Sequence, residues 1–116
     1  MNLEQAIKRT EAVIGLPEHS DASIGFAGIC LEWSGYGVEV DGEQLPDSAA
    51  FALLRDHAQA ACDERGWAVL TQGYQLEPAE MWMINAYEVR DCFGDQIGFG
   101  ETRLDAMLTA LEKEQA

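Results

Sequence analysis

A chain of 116 residues with 47% hydrophobic content is long enough to build one domain around its own core, and too apolar to be a disordered segment. Seven Lys and Arg face 21 Asp and Glu, a formal net charge of -14. A surface of that sign repels the phosphates of nucleic acid and anionic lipid, which argues against direct nucleic-acid binding and against a membrane-surface role.

Leu3, Ala6, Ile7, Val13 and Ile14 recur at helical spacing with Thr10 on the same stripe, and Gly15 and Pro17 end the pattern. A first helix over residues 3–14 follows. Glu18 to Ser23 reads as a polar loop. Ile24 to Trp33 is rich in apolar and aromatic residues, and Val38-Glu39-Val40 follows the tetrapeptide Ser34-Gly35-Tyr36-Gly37, so a hairpin joining two strands is expected. Asp41-Gly42 closes the second strand. Asp47 or Ser48 can accept from the free N–H groups of a second helix over 48–65, whose inner stripe is Phe51, Leu54, Ala58, Ala61 and Cys62, with Arg65 and Gly66 at its end.

Trp67 to Tyr74 reads as a strand, Glu77-Pro78-Ala79-Glu80 as a turn and Met81 to Arg90 as a longer strand. Strict alternation puts Met81, Met83, Tyr87 and Val89 on one face and Trp82, Ile84, Ala86, Glu88 and Arg90 on the other. A turn over Asp91–Asp95 leads to a short strand, Gln96 to Phe99. Thr102 and Asp105 have the spacing of a capping box, and Leu104, Met107, Leu108 and Leu111 stripe a last helix over 103–114. The whole predicts a single α+β domain, residues 1–116, in the order αββαβββα. Its architecture is one antiparallel sheet of about five strands with three helices packed on it.

The second part of the chain also carries a resemblance. A helix ending in Glu64-Arg65-Gly66 is followed by an aromatic-rich meander, and Gly98-Phe99-Gly100-Glu101-Thr102 opens a helix containing Met107 and Ala110-Leu111. From about Leu45 to Ala116 this resembles the phage ABA sandwich domains of bacteriophage and prophage proteins. The resemblance implies a small accessory protein of a phage or prophage in a bacterial host cell; it brings no catalytic residues and does not extend to the first 44 residues.

No catalytic set assembles from the residues. His19 lies in the loop Glu18-His19-Ser20-Asp21, where adjacent side chains rarely converge on one metal, so it reads as a solvated loop residue. His57 reads as a partly buried structural histidine, and its five-residue offset from Cys62 splays the two apart. Cys30, Cys62 and Cys92 each sit among apolar residues, form no CxxC pair and read as small core residues. Asp91, Asp95, Glu88 and Glu101 could approach one another around the last hairpin, but no calcium-loop spacing is met. No cofactor is expected. The start Met1-Asn2-Leu3-Glu4 lacks a basic and then apolar leader, and no apolar run nears the length of a membrane span, so a cytoplasmic protein is expected.

The densest acidic run without a basic residue is Glu39, Asp41, Glu43 and Asp47, and Glu77 and Glu80 add a second acidic loop beside Trp82. These residues read either as solvated loops whose charge serves solubility or, with Tyr36, Trp33 or Trp82 as aromatic anchor, as a surface for a protein partner with a basic face. The leading expectation is a non-enzymatic acidic binding module, in its sharpest form a phage-encoded nucleic-acid mimic that inhibits a host nucleic-acid-binding protein, as anti-defence proteins do. The alternatives are a scaffolding subunit that forms a homodimer or larger homo-oligomer through the Met81–Val89 strand, and, ranked last, a small enzyme using paired carboxylates.

Overall fold

A reciprocal cap starts the first helix, α1 (Leu3–Ile14). The Asn2 side chain accepts the Gln5 N–H at 2.8 Å, and the Gln5 side chain accepts the Asn2 N–H at 3.0 Å, which satisfies two otherwise free donors. Gly15, at φ 71°, ends the helix. Leu3, Ala6, Ile7 and Thr10 are buried, and the Thr10 hydroxyl donates to the Ala6 carbonyl at 2.7 Å, so its burial leaves no unpaired group. This computed structural model describes residues 1–20, 28–76 and 81–115. Their contacts divide the chain into two units, Met1–Ala58 and Gln59–Ala116.

In the first unit, β1 (Glu32–Trp33), β2 (Val38–Val40) and β3 (Glu43–Gln44) form an antiparallel sheet in that order. The expected hairpin is present, and its register pairs Trp33 with Val38 and Glu32 with Glu39. The strand expected to begin at Ile24 falls partly outside the described residues. Asp41-Gly42 does more than end β2. Both residues have positive φ, 51° and 80°, and a two-residue loop with that twist returns the chain directly into β3.

The second helix, α2 (Asp47–Glu64), begins one residue earlier than its pattern suggested. The Pro46 carbonyl accepts from Ala49 and Ala50 at 3.0 and 3.1 Å, so Asp47 and Ser48 lie inside the first turn instead of capping it. Asp47 there sits at the positive end of the helix dipole. Ala50, Leu53, Leu54 and Ala58 are buried, and His57 Nε2 donates to the Gly15 carbonyl at 3.1 Å, which makes it the structural histidine expected.

In the second unit, β4 (Ala68–Leu76), β5 (Met81–Arg90) and β6 (Gln96–Gly100) form another antiparallel sheet, and α3 (Arg103–Gln115) packs against β5 and β6. The α+β class is therefore met, but the single five-stranded sheet is not: the strands form two three-stranded sheets. Alternating hydropathy marks a strand without naming its neighbour, and the extra strand β3 completes the first sheet by itself. Leu104, Met107, Leu108 and Leu111 are buried as expected, and Thr102 Oγ1 accepts the Asp105 N–H at 3.1 Å. At the end of α2, Arg65 binds Glu114 at 2.8 Å and donates to the Ala61 carbonyl at 2.8 Å.

Strict alternation along β5 fails at one point. Ala86 pairs with Gln72 and Ile84 with Gly73, so Asn85 is an extra residue and the two halves of the strand present opposite parity. Met83 and Ile84 are both exposed, whereas Val89 is buried. Beyond the bulge Glu88 lies between Leu70 and Phe99 on the neighbouring strands. Its side chain is 7% exposed and accepts from Arg90 Nε at 2.9 Å, Gln72 Nε2 at 3.0 Å and Gln96 Nε2 at 2.7 Å. The Arg90 hydrogen bond foremost, then that of Gln96, holds the Glu88 carboxyl below its ordinary 4.5. A carboxylate whose pKa is depressed by folding stabilises the fold above its unfolded value and loses that contribution as pH falls through the folded one. Urea denaturation of the wild type and Glu88→Gln should therefore differ by a constant amount at neutral pH, the wild type being more stable. The difference should shrink as pH drops below about 4.5. A gap that persists unchanged into stronger acid would contradict this account.

Candidate functional site

The sequence singles out Glu39, Asp41, Glu43, Asp47 and Tyr36, and all five are exposed. They lie along the β1–β2–β3 sheet and its exit. Glu39 shares its face of the pleat with Glu32 and Gln44, its register partners on either side. Trp33 and Val38 occupy the other face, half-buried and buried. Asp41 stands in the β2–β3 turn, Glu43 opposite Val40 on the outer strand, and Asp47 in the first turn of α2. The acids thus ring the β2–β3 hairpin; they do not all share one face.

The pairing of Glu32 with Glu39 is the informative detail. Two carboxylates directly opposite in an antiparallel pair repel across about 5 Å and destabilise the sheet. Among the described residues neither has an ion-pair partner, and Asp41, Glu43 and Asp47 have none either. From Thr10 to Leu54 the sequence contains no Lys or Arg. In the second unit, by contrast, Glu88 and Glu114 are held by Arg90 and Arg65.

Tyr36 projects from a tied turn. Ser34 N–H donates to the Gly37 carbonyl at 2.9 Å and Tyr36 N–H to Ser34 Oγ at 3.3 Å, while the Tyr36 residue is 75% exposed. A rigid loop that displays an aromatic ring loses little entropy on binding. Beside it lies an open depression of about 330 Å³, lined by Ile7, Leu16 and Trp33 with Glu4, Lys8 and Glu11. Glu4 and Glu11 stand two turns apart on α1, roughly 10 Å of rise, too far to share a proton at one reacting atom.

Other expected residues take different places. The Trp33 ring is half-buried and lines that depression, and its Nε1 donates to the Pro17 carbonyl at 2.8 Å, which fastens β1 to the segment after α1. Glu77, Glu80 and the side chain of Trp82 lie outside the described residues. Asp91 Oδ1 accepts the N–H groups of Phe93 and Asp95 at 2.9 and 3.0 Å and Glu88 is enclosed by its own donors, so these carboxylates do not form a joint site. Among the described residues no group of three His, Cys, Asp or Glu is placed to hold a metal ion, and no described helix is long and apolar enough to cross a membrane.

Three features escape the sequence reading. Glu32 becomes part of the acidic surface only through the strand register. Phe93, 86% exposed, stands at the tip of the β5–β6 turn as a second displayed aromatic ring. Of the three cysteines only Cys62 is a core residue, and burial pushes its thiol up to about 11; Cys30 and Cys92 are exposed. No family model, curated protein or solved structure matches this chain.

Proposed function

We propose that this chain is a non-enzymatic acidic binding module whose β1–β2–β3 hairpin sheet engages a cationic surface on a partner protein. The observation that carries this reading is the exposed Glu32–Glu39 pair, without an ion-pair partner among the described residues and ringed by Asp41, Glu43 and Asp47. Carboxylates scattered for solubility alone have no reason to stand in register, whereas a Lys or Arg placed between them relieves the repulsion and gains two contacts. Tyr36 supplies the apolar anchor, and the neighbouring depression accepts the aliphatic stem of a long basic side chain. In its sharpest form the partner is a host nucleic-acid-binding protein and the acids stand where phosphates would. The resemblance of Gly98–Thr102 and its helix to phage ABA sandwich domains supports a phage or prophage origin and a bacterial cytoplasm as the place of action.

A pull-down from bacterial lysate at roughly 0.1 M and roughly 1 M salt tests the reading, since the screening length falls from about 10 to about 3 Å. A basic protein should be retained at low salt, released at high salt, and lost from a Glu32→Lys/Glu39→Lys variant. Retention that ignores both salt and the double substitution would overturn the proposal.

One observation favours the homo-oligomer reading. β6 pairs only with Tyr87–Arg90, so among the described strands the Met81–Ala86 half of β5 has β4 on one side and nothing on the other. A net charge of -14 on each copy opposes that association, which ranks it second.

A further inference from the structure

We propose that Cys30 and His19 form a reactive thiol site that takes small disulfides and other soft electrophiles. The two residues face each other in an antiparallel bridge. Ser20 N–H donates to the Ile29 carbonyl and Leu31 N–H to the Glu18 carbonyl, both at 2.8 Å, on either side of the pair. That pattern makes His19–Cys30 a non-hydrogen-bonded pair, the arrangement in which opposed side chains come closest and share a face. Cys30 Sγ lies 3.7 Å from His19 Nδ1, and both side chains are exposed. The setting is held from below as well: Ser20, 5% exposed, accepts the Ile29 N–H on its hydroxyl at 3.2 Å and the Gly28 N–H on its carbonyl at 2.7 Å. The Trp33–Pro17 bond fastens the two chain segments further along. A thiol fixed beside an imidazole and open to solvent has a base within reach of its proton and room for an incoming electrophile.

The exchange balances within the pair and its substrate. The Sγ–H bond of Cys30 breaks and its proton passes to His19 Nδ1. The sulfur attacks one sulfur of a small disulfide, a mixed disulfide forms, and the substrate S–S bond breaks with its electron pair on the departing sulfur. That sulfur takes the proton from His19 and leaves as a thiol. Cys30 is oxidised and one half of the small disulfide is reduced.

The molecule contains its own controls: Cys92 is exposed and Cys62 is buried, while the two histidine rings bond elsewhere, His19 to Cys30 and His57 to the Gly15 carbonyl. The full-length reduced protein is treated with hydroxyethyl disulfide, a neutral probe, at pH 7. Modification of each cysteine is followed by peptide mass mapping. Cys30 should be modified about tenfold faster than Cys92, with Cys62 slowest. His19→Asn should bring Cys30 down to the rate of Cys92, with the circular dichroism spectrum unchanged because the side chain is on the surface. His19→Gln serves as the second variant if the first perturbs the bridge. Equal rates at Cys30 and Cys92 in the wild type, or a Cys30 rate that survives both substitutions, would overturn the proposal.

Discussion

Gly98→Ala should cost the protein about 3 kcal/mol of folding stability, the upper part of the range for overpacking a filled interior. The reason lies in how closely α3 descends on β6. A Cβ at position 98 meets the backbone carbonyl of Ala106, the Ala110 Cβ at 2.8 Å and the Ala110 N at 3.0 Å. These are atoms of a helix backbone and of a methyl group with no rotamer to change, so nothing gives way cheaply. Relief requires lifting α3 from the sheet, which loosens the packing of Met107, Leu108 and Leu111, all at most 1% exposed. Gly100 repeats the arrangement against Asp105 and the Ala106 N at 2.8 Å. The alternating glycines of β6 are therefore the groove in which the helix lies, with Phe99 between them turned to the other side of the sheet. Gly35→Ala is the matched control, since a Cβ there meets nothing within 4 Å and the backbone is unstrained; it should change stability by less than about 0.5 kcal/mol. Urea denaturation of both variants decides the matter. Similar midpoints would mean that the helix and strand are not in the contact described.

The parts of this fold that were legible in the sequence are those governed by neighbours a few residues away. Gly15 and Gly66 both take positive φ where the helical stripes end, and the bounds of α1 and α3 follow from local capping chemistry. What lay beyond reach depends on pairing across the chain. Asp41-Gly42 is equally a strand terminator and a reversal, and only the conformation of both residues decides for β3. The extra residue Asn85 reverses the parity of half of β5 without any mark in the hydropathy pattern. Within the acidic surface, Glu39, Asp41, Glu43 and Asp47 stand out by density alone. Glu32 was accessible in principle, because the four-residue connection Ser34–Gly37 implies Trp33 opposite Val38 and hence Glu32 opposite Glu39. The approach of His19 to Cys30 gave no such signal: it depends on the register in which the segment after Pro17 meets the one before Glu32.

That Glu32–Glu39 register leads to the second large effect, which separates stability from binding. Glu39→Lys should make the free protein more stable by about 0.5–1 kcal/mol, because it turns a cross-strand repulsion into an attraction. Glu39→Gln, which removes the repulsion without adding attraction, should gain about half as much. Both gains should fade as salt is raised, since the side chains are exposed and screened. The same Glu39→Lys change should weaken binding to the captured basic partner at least about tenfold at low salt, because it places a like charge where the partner's cation docks. Glu64→Lys alters net charge by the same amount at an exposed position in the other unit, and should leave the affinity nearly unchanged. Thermal melts and titration calorimetry on the three variants read the two quantities independently. If carboxylates at this hairpin served solubility alone, Glu39→Lys and Glu64→Lys would affect partner binding equally, through overall charge. A stabilised Glu39→Lys protein that binds as tightly as the wild type would leave the cross-strand pair as an unrelieved local repulsion without a binding role. Stability gained and affinity lost at one position, and not at the other, is the signature of a surface whose internal repulsion is relieved by a cationic partner.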